Sequence, residues 1–193
     1  MRGMMVFFGR AAAMAALVFG MMLAAGASAR ADNSQYTMQE IVDAGHGFFG
    51  STTGGLAKVV EAAFKKYGLP NGYILGQEGG GSLVLGATFG EGELYTKNAG
   101  QHSTFWQGPS IGLDYGGEGS RVMMLVYELP SVNSLYTRFG GVSGQAYIVA
   151  GFGMTVLKNK NMLIVPIRTG IGARLGVNVG YLKMTKRATW NPF

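Results

Sequence analysis

Apolar residues follow a helical period in the first part of the chain and a strand period afterwards. After a polar lead from Asp32 to Tyr36, Met38, Ile41, Val42, Gly45, Phe48 and Phe49 recur at i, i+3 and i+4, the spacing that lines one face of a helix. Thr37-Met38-Gln39-Glu40 opens this stretch as a capping box, in which the Thr oxygen accepts from one orphan amide and the Glu side chain reaches back to another. Gly50 to Gly55 breaks it. A second helix is predicted from about Leu56 to Tyr67, with Leu56, Val59, Val60, Ala63, Phe64 and Tyr67 on one face and Lys58, Glu61, Lys65 and Lys66 on or beside the other. Gly68 stands where a C-terminal left-handed residue belongs, and Pro70 prevents continuation. The helical part thus spans about 37–68, and each helix has one apolar face to bury.

From Tyr73 to Lys183 the period is two. It predicts strands near Tyr73–Gln77, Leu83–Phe89, Glu93–Thr96, Ser103–Gln107, Ile111–Gly116, Arg121–Glu128, Ala146–Leu157, Met162–Arg168 and Thr169–Lys183, the last bent or split. Turn signals separate them at Gly79-Gly80-Gly81, Gly90-Glu91-Gly92, Asn98-Ala99-Gly100, Gly108-Pro109, Gly116-Gly117 and Asn159-Lys160-Asn161. Phe105–Pro130 reads as one β-hairpin. After it, Val132, Leu135, Tyr136 and Phe139 fall at helical spacing behind Ser131, and Gly140-Gly141 ends that turn. Short strands in hairpin order predict a mainly β fold. The expected form is a meander closing into a small, closed or nearly closed antiparallel barrel of about eight to ten strands, with one or two N-terminal helices alongside.

Glycine modifies this picture, with 33 in the chain. In the last long strand Arg168, Gly170, Gly172, Arg174, Gly176, Asn178 and Gly180 share one face, and Ile167 to Tyr181 at the odd positions share the other. Glycine at every second position strips a face of side chains, which permits bending and close approach of a neighbour.

The first residues belong to no fold. Arg2 and Arg10 flank a positive segment, Ala11 to Gly26 are apolar, and Ala27, Ala29 and Ala31 follow. This is the pattern of a secretory signal peptide over 1–31, cleaved after Ala31 or Ala29. An N-terminal membrane anchor would need ~20 apolar residues, more than the run supplies. Residues 32–193 are then one exported domain in the periplasm. It has no cysteine, hence neither a disulfide nor an acylated Cys anchor, and its stability rests on the core. Of 16 basic residues, Arg2, Arg10 and Arg30 leave with the leader. The remaining 13 against 10 acidic residues give a mild positive balance, which is no nucleic-acid footprint.

Four blocks, TKNAG at Thr96–Gly100, FWQGPS at Phe105–Ser110, DYGGEGSR at Asp114–Arg121 and MMLVYELP at Met123–Pro130, resemble the envelope integrity protein A family of periplasmic proteins in Gram-negative bacteria. The resemblance covers nearly the whole exported chain. It implies a small antiparallel barrel with a helix alongside and a role in maintaining the envelope, without an established activity. W-x-G-P-S followed by alternating glycines and an apolar strand is more distantly similar to the SYLF lipid-binding domain, from Leu94 onward, which suggests lipid as a ligand class.

The candidate ligand contacts are Arg168, Arg174, Trp106, Gln107 and Arg121. Trp106 and Gln107 would line a barrel mouth, or Trp106 would pack as an edge aromatic under the helices. Arg168 and Arg174, if they face inward, would be desolvated unless they hold an anion such as a phosphate or lipid headgroup; facing outward, they are solvated. Asp114, Glu118 and Arg121 surround a tight turn, where turn bonding or a surface ion pair is the ordinary reading. Glu78, Glu91 and Glu93 lie in or beside glycine turns and read as solvated. His46 and His102 have no i, i+4 partner, so no metal site is expected. Neither a G-x-S-x-G elbow nor a phosphate-binding loop occurs, and no catalytic residue or cofactor is expected.

The tail from Lys183 to Phe193 mixes Lys183, Lys186 and Arg187 with Met184, Trp190 and Phe193. It would touch an anionic membrane surface or dock across the barrel. The leading expectation is a non-enzymatic, soluble periplasmic barrel that supports envelope integrity by binding a lipid, a glycan intermediate or a periplasmic or membrane protein partner. One alternative is an integral outer-membrane barrel of eight strands, suggested by the terminal Phe193. Arg187, Thr189 and Asn191 stand where its insertion signal wants apolar residues, and Pro192 breaks the strand. The other alternative is an envelope hydrolase with an unrecognised site.

Overall fold

A computed structural model describes residues 34–50, 54–81, 87–109, 120–169 and 180–191. The leader, the strand expected at Ile111–Gly116 and the glycine-spaced residues 170–179 lie outside the described residues, Arg174, Asp114 and Glu118 among them.

Two helices, α1 (Met38–Phe49) and α2 (Leu56–Tyr67), precede the strands. The capping box forms as expected: the Glu40 amide donates to Thr37 Oγ1 at 3.3 Å, and the Thr37 amide donates to Glu40 Oε2 at 2.7 Å. Gly68 closes α2 with φ +79°, a conformation in which a Cβ would be strained. The described residues hold eight strands: β1 (Gly72–Gly81), β2 (Ala87–Thr96), β3 (Gly100–Pro109), β4 (Ser120–Tyr127), β5 (Arg138–Val149), β6 (Phe152–Asn159), β7 (Met162–Thr169) and β8 (Tyr181–Thr185). All pairs are antiparallel. The order β1-β2-β3-β8-β5-β6-β7-β4 returns to β1 through its ladder with β4, so the barrel is closed.

The strand order is not a single meander. β1-β2-β3 and β5-β6-β7 are meanders, whereas β4 lies beside β1 and β8 beside β5. Each set of four is a Greek key, and the two keys join along β4–β7 and β3–β8. Of the hairpin expected at Phe105–Pro130, the described ends are β3 and β4, which flank the β1–β2 pair and do not pair with each other, and residues 110–119 between them lie outside the described residues. Alternation says which face a residue takes, and any antiparallel partner satisfies it equally.

Several glycine pairs expected to turn the chain instead lie inside strands. Gly79 to Gly81 end β1, Gly90 and Gly92 sit within β2, Gly108-Pro109 end β3, and Gly140-Gly141 belong to β5. The single strand expected at Ala146–Leu157 is two, β5 and β6, turned at Ala150 (φ +50°) and Gly151 (φ +86°). Two successive positive φ values are what a two-residue hairpin needs to match strand twist. Asn98-Ala99-Gly100 and Asn159-Lys160-Asn161 do turn the chain, and the helical spacing after Pro130 resolves to a single 3-10 turn, Val132–Leu135.

The core has two compartments separated by the barrel wall. Every described strand sends apolar side chains inward, including Ile74, Leu94, Trp106, Met124, Phe139, Leu157, Ile164 and Leu182, and these form one buried cluster inside the barrel. On the outer side, Met123, Leu125 and Tyr127 of β4, Phe152, Met154 and Val156 of β6, and Val165 and Ile167 of β7 pack beneath Ile41, Val42, Leu56, Val59, Val60 and Ala63 of the helices. This explains why β4 is apolar without alternation: one face feeds the interior and the other receives the helices. Each such side chain contributes about 1.5–3 kcal/mol on burial. A bulge between Gly141 and Ala146 shifts the β5 register and turns Tyr147 and Val149 towards the helices.

Candidate functional site

Trp106 lies inside the barrel at 1% exposure, not under the helices, and glycines make its place. A Cβ on Gly90 would stand 2.2 Å from Trp106 Cε2, and one on Gly76 would stand 2.6 Å from Cη2. The indole therefore rests on bare backbone of β1 and β2. Close approach permitted by glycine is seen on these two strands, while the glycine-spaced residues 170–179 lie outside the described residues.

The indole Nε1 donates to Glu78 Oε1 at 2.9 Å, and Arg168 grips the same carboxylate. Its Nε donates to Oε2 at 2.6 Å and its Nη2 to Oε1 at 2.8 Å. Both charged side chains are only 7% exposed. Arg168 thus faces inward, and the anion it holds is the protein's own Glu78. The expectation that Glu78 is a solvated turn carboxylate is overturned, because Gly79 to Gly81 continue the strand instead of carrying the residue to the surface. Buried ions are tolerated when paired and hydrogen-bonded, and the fork geometry of Arg and carboxylate meets that condition.

Neighbours on a strand point to opposite faces, so Gln107 faces outward while Trp106 faces in; the two do not form a joint barrel mouth. Gln107 is nevertheless 1% exposed, because residues 188–190 of the tail lie over this part of the wall. Between tail and wall runs a groove of about 320 Å³ whose lining includes Gln77, Phe89, Glu91, Phe105, Gln107 and Trp190. It shares Gln77, Glu91 and Phe105 with a second hollow of about 470 Å³ that reaches Glu93, Ser103 and Phe48 at the end of α1. The two form one furrow across the outer face of β1-β2-β3. Phe89 and Trp190 meet with ring centroids 5.5 Å apart, and Trp190 is 89% exposed. The Nε2 of Gln107 is buried and has no hydrogen-bond partner, which costs free energy unless something supplies an acceptor.

Arg121 stands at the edge of this furrow, opposite Gln77 in the β1–β4 ladder. It donates to the Phe48 carbonyl at 2.8 Å and lies over the Phe48 ring, a cation at the C-terminal end of α1, where the helix dipole favours it. Glu93 accepts from Ser103 Oγ at 2.7 Å. A His102 ring nitrogen pairs with the Ala99 carbonyl at 2.9 Å, whereas His46 sits in the last turn of α1. Among the described residues no group of three or more His, Cys, Asp or Glu side chains is placed to hold a metal. The outer face away from the helices carries Gln77, Glu91, Glu93, Ser103, Lys183 and Arg138, all exposed or half-buried. No described helix is long and apolar enough to cross a membrane.

Sequence reasoning missed the furrow because its residues come from three strands, a helix end and the tail. The signal available was the row of Gln77, Glu91, Phe105 and Gln107 at outward positions, legible only once register is known.

The family model described as envelope integrity protein A matches residues 34–193. Among solved structures, the chain is similar to a β-barrel-like, uncharacterized protein from Brucella abortus: 64% identity, TM-score 0.79, covering 83% of this chain and 99% of that one. No curated protein matches the chain.

Proposed function

Because the chain belongs to the envelope integrity protein A family, whose model spans residues 34–193, we propose that it is a non-enzymatic periplasmic protein that supports the cell envelope by holding an envelope component in the furrow on the outer face of β1-β2-β3. The observation that carries this reading is an external hollow floored by the unpartnered Gln107 amide, beside an interior into which every described strand sends buried apolar side chains. Side chains tend to fill an eight-stranded barrel, and among the described residues the hollow that meets an unpartnered amide lies outside. The polar outer face of β1, β2, β3, β5 and β8 supports a water-exposed barrel over an integral one, which would present an apolar band ~25 Å tall to lipid. The buried Glu78–Arg168 pair is fully engaged with Trp106 and reads as scaffold.

Chromosomal replacement with Trp190→Ala or Phe105→Ala tests the proposal. Both variants should accumulate to wild-type levels in the osmotic-shock fraction and yet sensitise cells to detergent with EDTA as gene deletion does. Wild-type resistance in both would overturn it.

A further inference from the structure

We infer that the furrow takes an uncharged glycan, a conclusion that rests on the proposed binding role and names its ligand class. A sugar ring offers an apolar C–H face and a rim of hydroxyls, so a site for it needs flat aromatic surface beside planar hydrogen-bonding groups. The furrow has both. Phe89, Phe105 and the exposed Trp190 supply the rings, and the carboxamides of Gln77 and Gln107 with the carboxylate of Glu91 supply the planar polar groups. The pairing register sets these in rows, with Gln77 opposite Glu91 opposite Phe105, and Phe89 opposite Gln107.

Three observations favour this chemistry over others. The buried Gln107 Nε2 is a donor without an acceptor, which a hydroxyl or an N-acetyl carbonyl would satisfy. The carboxylates of Glu91 and Glu93 line the furrow, and the flanking cations Arg121, opposite Gln77, and Lys183, opposite Gln107, no more than balance them while donating to the Phe48 and Asn191 carbonyls, so the site offers an anion no net positive field. A phosphate or anionic headgroup would meet carboxylates there, at a Coulombic cost. The furrow is an open surface hollow in which aromatic rings alternate with the Gln77 and Gln107 carboxamides, unlike the enclosed apolar volume an acyl chain requires. From the level of Phe89 to that of Glu93 it follows the strands for roughly 13 Å, at ~3.3 Å per residue, room for a short oligosaccharide.

The purified protein is to be titrated by NMR with chitotetraose, with cellotetraose, and with dioleoylphosphatidylglycerol vesicles. Either sugar should shift the Trp190 indole and Gln107 side-chain amide resonances while the enclosed Trp106 indole stays in place. Trp190→Ala and Glu91→Gln, both at exposed positions, should each weaken binding about tenfold, the loss of one aromatic or charge-assisted contact. Response to chitotetraose alone assigns an N-acetylated glycan; response to both assigns hexose chains in general. No shift with either sugar, shifts that both variants leave intact, or saturation by the vesicles in place of the sugars would overturn the inference. If no sugar binds and the furrow variants still sensitise the envelope, the glycan assignment fails and the binding role stands. If a sugar binds and the variants are harmless in cells, the binding role fails.

Discussion

At the scale of single residues, the interior ion pair has the largest energetic consequence. Removing Arg168 takes the bidentate cation from a buried carboxylate, and removing Glu78 deprives both the Arg168 fork and the Trp106 N–H of their acceptor. Glu78→Ala and Arg168→Ala should each lower the unfolding free energy by about 3–5 kcal/mol. The double variant should cost clearly less than the two together, because the second removal takes away the charge that the first left unpaired. Urea denaturation of the four proteins measures this coupling, and additive losses would show that the pair is not a unit. Arg168 was legible in the sequence as a residue in need of an anion. Glu78 was not: three glycines after it signal a turn locally, and only their pairing with β2 keeps the carboxylate inside the barrel.

At the scale of elements, α1 is the part most completely written in local sequence. Its capping box joins residues three apart, and a bond of that range needs no tertiary contact to be satisfied. Tertiary structure adds Lys97, whose Nζ reaches Glu40 Oε1 at 2.8 Å from the β2–β3 turn. The hydrogen bond from Lys97, then those from Thr37, hold the Glu40 carboxyl at about 2, below its ordinary 4.5. A carboxyl whose pKa falls on folding stabilises the fold above its unfolded value, and that stabilisation is lost as pH falls through the folded value. The stability difference between wild type and Glu40→Gln should therefore be full at pH 6–7, shrink from about pH 4.5 downward, and vanish near pH 2. It should stay under about 1 kcal/mol, since the group is solvent-screened. Thermal melts across pH check this, and a difference that grows on acidification would contradict it. Helix boundaries, caps and apolar faces were all legible, whereas the strands were legible in existence and less so in extent. Gly90 and Gly92 read as a turn because their lack of side chains is a local fact, while the indole they accommodate arrives from β3.

At the scale of the whole molecule, the barrel closes through β3–β8 and β1–β4, contacts between strands far apart in sequence. The tail takes no part in closure, since the β8 ladder with β3 ends at Thr185. Truncation after Arg187 uncovers Gln107 and loses the Phe89–Trp190 ring contact, so it should lower the unfolding free energy by no more than about 1.5 kcal/mol while removing one wall of the furrow. Differential scanning calorimetry would read the first effect, and a large loss of stability would show that the tail is part of the scaffold.

The sequence by itself determined the two helices with their caps, the β period, an antiparallel barrel architecture and the family to which the chain belongs. All of these rest on short-range spacing or on contiguous blocks of residues. Tertiary structure alone decided the Greek-key order, the inward course of Glu78 beside Arg168 and Trp106, the opposite facing of Trp106 and Gln107, and the furrow beneath the tail. The physical reason is that alternation fixes which of two faces a side chain takes but carries no information about which strand lies next to it. A site assembled across β1, β2, β3 and the tail exists only once those neighbours are chosen.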